Sequence, residues 1–352
     1  MDEVRDNGLG IPTAVVQRAV RRVIREDRRA RENIVMRSLL FVRIDAAERA
    51  RAEAMWAHLV GAIFNLNTAF GVAILQHFIW QVKRKQLRLP VCHHLMPVIV
   101  SKVQGSGKTT FVIRFLGPLE ELASATALLS DIADPRSAEI LESPAVFIDD
   151  VERLTERQSP VLKSLLTAEA VSRRQLQTSK ANKRRQCATL IGTANESISA
   201  LIADPSGHRR FAELPFRNGA VAKGGNVGVW RAVDETDYGL LWRSVNGFGS
   251  SPIKPHLDAL AAAQAAAAPV DRLRECLVGL DLRSEAVQKN SVPGAVTADG
   301  LRLLICELLR EEITPNAFSA RMAVLVHDPA VPFGPKGTRR AKGNIYPFKH
   351  LG

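Results

Sequence analysis

Residues 96–110 read Met-Pro-Val-Ile-Val-Ser-Lys-Val-Gln-Gly-Ser-Gly-Lys-Thr-Thr, and this stretch decides the fold. Val98, Ile99 and Val100 form a β-branched apolar run of the kind that makes a buried strand. Gln104, Gly105, Ser106 and Gly107 then make a loop that can turn sharply without Cβ clashes. Lys108, Thr109 and Thr110 open a segment, Phe111 to Leu116, that continues as a helix. Strand, glycine loop, Lys-Thr and helix is the layout of a phosphate-binding P-loop. Backbone N–H groups at the helix start would face the anion, Lys108 would reach the outer phosphates, and Thr109 would ligate Mg²⁺. Lys102 stands where the full pattern has its first glycine.

The rest of the 352 residues is read outward from this loop. The chain is long enough for two or three domains, with 46% hydrophobic and 24% charged residues, as in a soluble globular protein. Cys92, Cys187, Cys276 and Cys306 lack paired metal spacing, which points to reduced thiols in the cytoplasm. Cys92-His93-His94 is the one ligand-like cluster, and adjacent residues rarely converge on one ion, so no metal site is expected there. The start lacks a signal-peptide layout, and the apolar stretch from Val60 to Trp80 is broken by Asn65, Asn67, Gln76 and His77, so no membrane partner is expected. A formal charge of +12 makes nucleic acid the first partner to consider.

Upstream, Pro12 to about Arg31 reads as a basic helix with a narrow Val15, Val16, Ala19, Val20, Val23 stripe. It suits nucleic acid, a partner or a solvated face equally. Ala46–Leu59 and Asn67–Lys85 read as two more helices. Downstream, Ala145 to Ile148 reads as a buried strand ending in Asp149-Asp150, roughly 40 residues after Lys108. That is a Walker B arrangement, with Asp149 in the Mg²⁺ shell and Asp150 placed to activate water. Gln175–Thr178 and Cys187–Leu190 read as the strands of a hairpin whose basic tip spans residues 179–185 and suits nucleic-acid phosphates. Leu190 to Asn195 reads as a further strand, with Asn195 beside the γ-phosphate. Gly207-His208-Arg209-Arg210-Phe211 then presents two arginines before the strand-like residues 211–216, and their planar cationic forks match phosphate oxygens.

Taken together, these elements resemble a superfamily 3 helicase of the AAA+ class, closest to the virulence-associated protein E and phage primase–helicase group of mobile elements. The likeness covers roughly residues 70–245 and includes the Leu241-Trp242 pair after the arginine box. The resemblance implies an α/β protein: a P-loop AAA+ ATPase core with a parallel sheet. It implies a hexameric homo-oligomer that hydrolyses ATP with Mg²⁺ and moves on single-stranded or forked DNA, in concert with a separate primase or polymerase. Lys180, Lys183 and Arg184 would then line a pore, and Arg209 or Arg210 would complete a neighbour's nucleotide site. The departures are Lys102 for the first glycine, Asp150 in place of glutamate and His208 for asparagine.

The tail reads as a winged helix. Thr297-Ala298-Asp299 caps one helix and Thr314-Pro315 opens a second. Ala330–Phe333 and Asn344–Phe348 flank a basic turn in which Lys336, Arg339, Arg340 and Lys342 would clamp DNA phosphates. The expected domains are a helical N-terminal region (1–90), the ATPase domain (91–250), a helical linker (251–290) and a winged-helix-like domain (291–352). Two functions fit this order: a ring-forming DNA helicase in replication of a phage, plasmid or genomic island, or a nucleotide-switched DNA-binding initiator or loader.

Overall fold

The structure is a computed structural model that describes residues 12–349 apart from 42, 125, 129–142, 152–157, 175–180, 202–208, 218–225, 268–270 and 340–342. It divides into two compact units, residues 1–268 and 269–352.

The first unit is built on a parallel sheet. Strands β1 (Met96–Val100), β2 (Ala145–Ile148), β5 (Thr189–Ala194) and β6 (Phe211–Pro215) lie in the order β2-β5-β1-β6. All three pairings are parallel. Ala123 and Ala127 add parallel bridges to Ala145 and Ile148, so residues 123–127 run along the outer side of β2. The strands are largely apolar, Thr189, Thr193 and Glu213 apart, because helices cover both faces. On one face Ile99, Phe147, Ile191 and Leu214 pack against α1 (Thr13–Leu40), α2 (Ala46–Ile63), α3 (Thr68–Gln86), α4 (Lys108–Leu116), α7 (Val227–Glu235) and α8 (Tyr238–Ser244). On the other, Met96, Val98, Val146 and Leu190 meet α5 (Gln158–Thr167) and α6 (Ile198–Leu201).

The described residues of 12–90 therefore do not form a core of their own. Val35, Met36, Trp56, Ile63, Ile74 and Phe78 share one apolar cluster with β1, α4 and α8. α1 runs nine residues past its expected end, and the extra turns carry Val35, Met36 and Leu39, which are buried. Its first two-thirds stays exposed, with Arg31 reaching Glu121 at 2.8 Å and Glu120 at 3.1 Å. The expected linker is also part of the cores. α9 (Leu257–Ala266) belongs to the first unit, where Gln264 Nε2 donates to Phe211 O at 2.9 Å, and α10 (Arg272–Val278) belongs to the second.

The hairpin exists with different strands. β3 (Ala170–Arg174) pairs antiparallel with β4 (Ala181–Arg185), Ala170 facing Arg185. The run expected as its second strand, ending at Leu190, enters the parallel sheet instead, because Leu190 and Ile191 find apolar cover on both faces. Lys183 and Arg184 thus stand in a strand rather than a tip, and Lys180 lies outside the described residues.

The second unit contains α10, α11 (Glu285–Lys289), α12 (Ala298–Leu309), α13 (Pro315–Leu325) and an antiparallel sheet of order β7-β8-β10-β9. Its strands are β7 (Ser291–Val292), β8 (Ala295–Thr297), β9 (Gly337–Arg339) and β10 (Gly343–Pro347). Leu301, Ile305, Phe318, Met322 and Phe333 make its core. Thr314 caps α13 by accepting from Ala317 N–H, whereas the Thr297 hydroxyl donates to Asn290 O and leaves α12 without a side-chain cap. The first strand of the basic hairpin starts at Gly337, inside the segment expected as its turn. Val331 and Phe333 pack in the core, and Phe333 forms an isolated bridge with Phe348 rather than a strand. Arg340 and Lys342 lie outside the described residues. Among the described residues no helix is long and apolar enough to cross a membrane.

The end of α3 is tied in place by a buried lysine. Lys83 is 2% exposed, and its Nζ donates to Leu39 O and Val245 O, both at 2.7 Å, with no carboxylate partner among the described residues. Desolvation lowers its pKa to about 7. A neutral amine has two N–H bonds, matching the two carbonyl acceptors. Between pH 7 and the ordinary lysine range the unfolded chain holds one more proton than the folded one, so stability should rise with pH in that window. In urea titrations, wild type should gain on Lys83→Met by up to about 1.4 kcal/mol per pH unit between pH 7.5 and 9.5. Parallel curves for the two chains would contradict this.

Candidate functional site

The parallel sheet brings five expected residues to its carboxyl edge. Because β5 lies between β1 and β2, Asn195 at its end stands between the glycine loop that follows β1 and the acid pair that follows β2. Lys108 Nζ donates to Ser101 O and Asn195 Oδ1, each at 2.9 Å. Asn195 Nδ2 donates to Asp150 Oδ1 at 2.8 Å, so one amide joins the lysine to the second acid. Asp149 Oδ1 accepts from Thr109 Oγ1 at 2.8 Å and from Thr193 Oγ1 at 2.6 Å. The Thr193 hydroxyl also accepts from Asp150 N–H at 2.9 Å. Desolvation lowers the Lys108 pKa, and the charges of Asp150 and Asp149 partly restore it.

The loop geometry follows from its glycines. Gly105 and Gly107 have φ of +72° and +96°, the left-handed region. Gly107 is also the residue before α4, whose first N–H groups have no partner within the helix and point out of its end. Gln104 and Gly105 are exposed, Ser106 and Lys108 buried, Thr109 and Thr110 half-buried. Asp150 has φ of +55°. Aspartate adopts the left-handed region more readily than most non-glycine residues.

Two residues here carry no assigned role in the sequence reading. Thr193 buttresses both acids, and its signal was only its place within Gly192-Thr193-Ala194-Asn195. Trp230, on α7, packs on the loop: a Cβ added to Gly107 would meet Trp230 Cη2 at 2.6 Å. Nothing in the spacing from Gly107 to Trp230 announces that contact.

Arg209 and Arg210 are elsewhere. Phe211 pairs with Met96, so both arginines lie at the amino edge of the sheet, while the glycine loop leaves β1 beyond Val100. Four strand steps, about 13 Å, separate those edges. These arginines do not meet the Lys108 cluster of their own chain.

Oxygen donors from Thr109 and Asp149 suit a hard cation that takes its other ligands from phosphate and water. No cluster of three or more His, Cys, Asp or Glu that could hold a metal by itself occurs among the described residues. In the second unit, Lys336 is exposed and donates to Ser319 Oγ at 3.0 Å.

The class defined so far is an α/β protein with a left-handed glycine loop, a helix N-terminus and an acid pair on one sheet edge. The profile of the virulence-associated protein E-like domain matches residues 45–229, more than half of the chain, and the chain belongs to that family. No curated protein matches the sequence. Among solved structures, the apo C-terminal region (305–718) of NrS-1 is similar, with a TM-score of 0.50 at 11% identity over 89% of this chain and 78% of that one. Another, A-form apo structure of that region gives 0.48 at 13% identity over 90% and 78%. JCV helicase, solved with a bound phenoxyphenyl acetamide, gives 0.36 at 14% identity over 73% and 80%.

Gly107→Ala should cost about 1–2 kcal/mol for the left-handed backbone, with a further cost from the clash with Trp230. Denaturant midpoints of Gly107→Ala, Trp230→Ala and the double variant check this. The double variant should recover the clash part only, and strict additivity would contradict the contact.

Proposed function

We propose that the protein is an ATP-dependent, ring-forming DNA helicase or translocase of the superfamily 3 AAA+ type, serving replication of a mobile element. The observation that carries this is the Lys108–Asn195–Asp150 chain beside Thr109 and Asp149 at the mouth of a left-handed glycine loop. Membership of the virulence-associated protein E-like family supports it.

In this reading the N–H groups at the start of α4, together with Gln104, Gly105, Ser106, Gly107 and Thr110, cradle the ATP phosphates. Lys108 neutralises the outer phosphates. Thr109 and Asp149 hold Mg²⁺, which offsets charge on the phosphate oxygens. Asp150 takes a proton from the attacking water, and Asn195 orients that water and the γ-phosphate. The position of Arg209 and Arg210 on the opposite sheet edge favours action on a neighbouring subunit, which is why the reading requires a ring, taken as a hexamer. Lys183 and Arg184 of the β3–β4 hairpin, with Lys180 just ahead of β4 in the sequence, are assigned to single-stranded DNA. The second unit, with its helix pair and its β9 and β10 strands, is assigned as a winged-helix-like DNA clamp whose phosphate contacts would be Lys336, Arg339, Arg340 and Lys342.

A mixing experiment tests the ring. Lys108→Ala and Arg209→Ala/Arg210→Ala chains should each be inactive in ATP turnover. Mixed, they should regain a fraction of wild-type turnover, because some interfaces then pair an intact Lys108 with intact arginines. No regain in a mixture shown to co-assemble would sink action in trans. Turnover without oligomers would leave the nucleotide-switched initiator or loader as the better account.

A further inference from the structure

The amino edge of the sheet holds a second cationic cavity, far from the glycine loop. It has a volume of about 560 Å³ and lies where α3, the segment 88–94 and the base of the β3–β4 hairpin meet. Its lining includes Lys85, Arg88, His94 and Arg185, against one carboxylate, Glu169.

Three features distinguish it from a solvated basic surface. First, Lys85 is 8% exposed, and its ammonium is bound by one backbone carbonyl, Ala188 O, with no ion-pair partner among the described residues. A buried ammonium without a counter-charge is costly, and an anion in the cavity would offset that cost. Arg185 adds a second cation and donates to Lys85 O. Second, His94 Nδ1 is buried and has no hydrogen-bond partner, which is uncommon for a buried ring nitrogen. Third, the segment bearing His94 is held from both sides. His77 Nε2 lies 2.7 Å from His93 O, Gln81 exchanges two hydrogen bonds with Leu95, and Arg84 Nε donates to Pro90 O. Arg88 and His93 adopt left-handed backbone, with φ of +59° and +54°. The unpartnered nitrogen thus stands on a segment whose backbone is tied down on both sides.

We propose that this cavity is a second phosphate-binding site, which takes either a backbone phosphate of nucleic acid or a free phosphate through Lys85, Arg88, His94 and Arg185. It goes beyond the ATPase reading and uses none of that site's residues.

The electrostatics give a signature. Desolvation, opposed by Cys187 and aided by nearby Arg185, lowers the pKa of Lys85 to about 8. Desolvation also lowers that of His94, which faces Lys85, Glu169 and Arg210. A bound dianion favours the protonated form of both groups, so binding takes up protons and weakens as pH rises.

The test uses the full chain carrying Lys108→Ala, which removes the glycine-loop lysine from the comparison. Sulfate, dianionic throughout pH 6.5–9, and inorganic phosphate are titrated calorimetrically. Saturable binding that is at least tenfold tighter at pH 6.5 than at pH 9 is expected. It should weaken at least tenfold in Arg88→Asn and in His94→Gln. Asn tolerates the left-handed backbone at position 88, and both variants are checked for an unchanged melting temperature. A fluorescein-labelled oligothymidylate then separates the sources. A parallel loss of its affinity in both variants assigns nucleic-acid backbone; intact oligonucleotide affinity with lost phosphate binding assigns free phosphate. Absence of saturable anion binding, binding indifferent to both substitutions, or affinity indifferent to pH would overturn the proposal.

Discussion

The side-chain amide of Asn195 is the constraint on which the candidate site depends. It accepts from Lys108 with one end and donates to Asp150 with the other. A strand placed between β1 and β2 delivers this amide to both, so the order β2-β5-β1-β6 brings the three segments together. The same order lets Thr193, two residues earlier, fix Asp149 by its hydroxyl proton and Asp150 through its backbone N–H. Six residues from three separate segments are held by hydrogen bonds of 2.6–2.9 Å before any ligand is considered.

The two edges of the sheet carry different chemistry. At the carboxyl edge carboxylates outnumber the cation: Lys108 is buried between neutral acceptors and within the field of two aspartates. At the amino edge, Lys85, Arg88, Arg185 and Arg210 outnumber Glu169. An uncompensated cationic edge disfavours burial against another cationic surface and favours one that brings phosphate.

Much of the site was legible because it is local. Gly105, Gly107, Lys108 and Thr109 are fixed by one loop, and Asp149, Asp150 and Asn195 by the ends of two apolar strands, patterns that survive without knowledge of tertiary contacts. What was not legible is what depends on distant packing. The buried face of α1 appears only past Arg31, at Val35, Met36 and Leu39, so its length and its share in the core were missed. The hairpin shifted because Leu190 satisfies both a hairpin and a buried parallel strand by its own sequence, and only the two-sided apolar cover decides between them. In the second unit Pro332 and Phe333 read as strand but are drawn into a core with Phe318 and Val331. Trp230 against Gly107 is a contact between elements that no short spacing reveals.

The most direct test of the central claim is ATP turnover with and without single-stranded DNA, in the wild type and in Lys108→Ala. The account predicts strong DNA stimulation in the wild type and none in the variant. Turnover that is slow and indifferent to DNA while nucleotide still binds would contradict a motor.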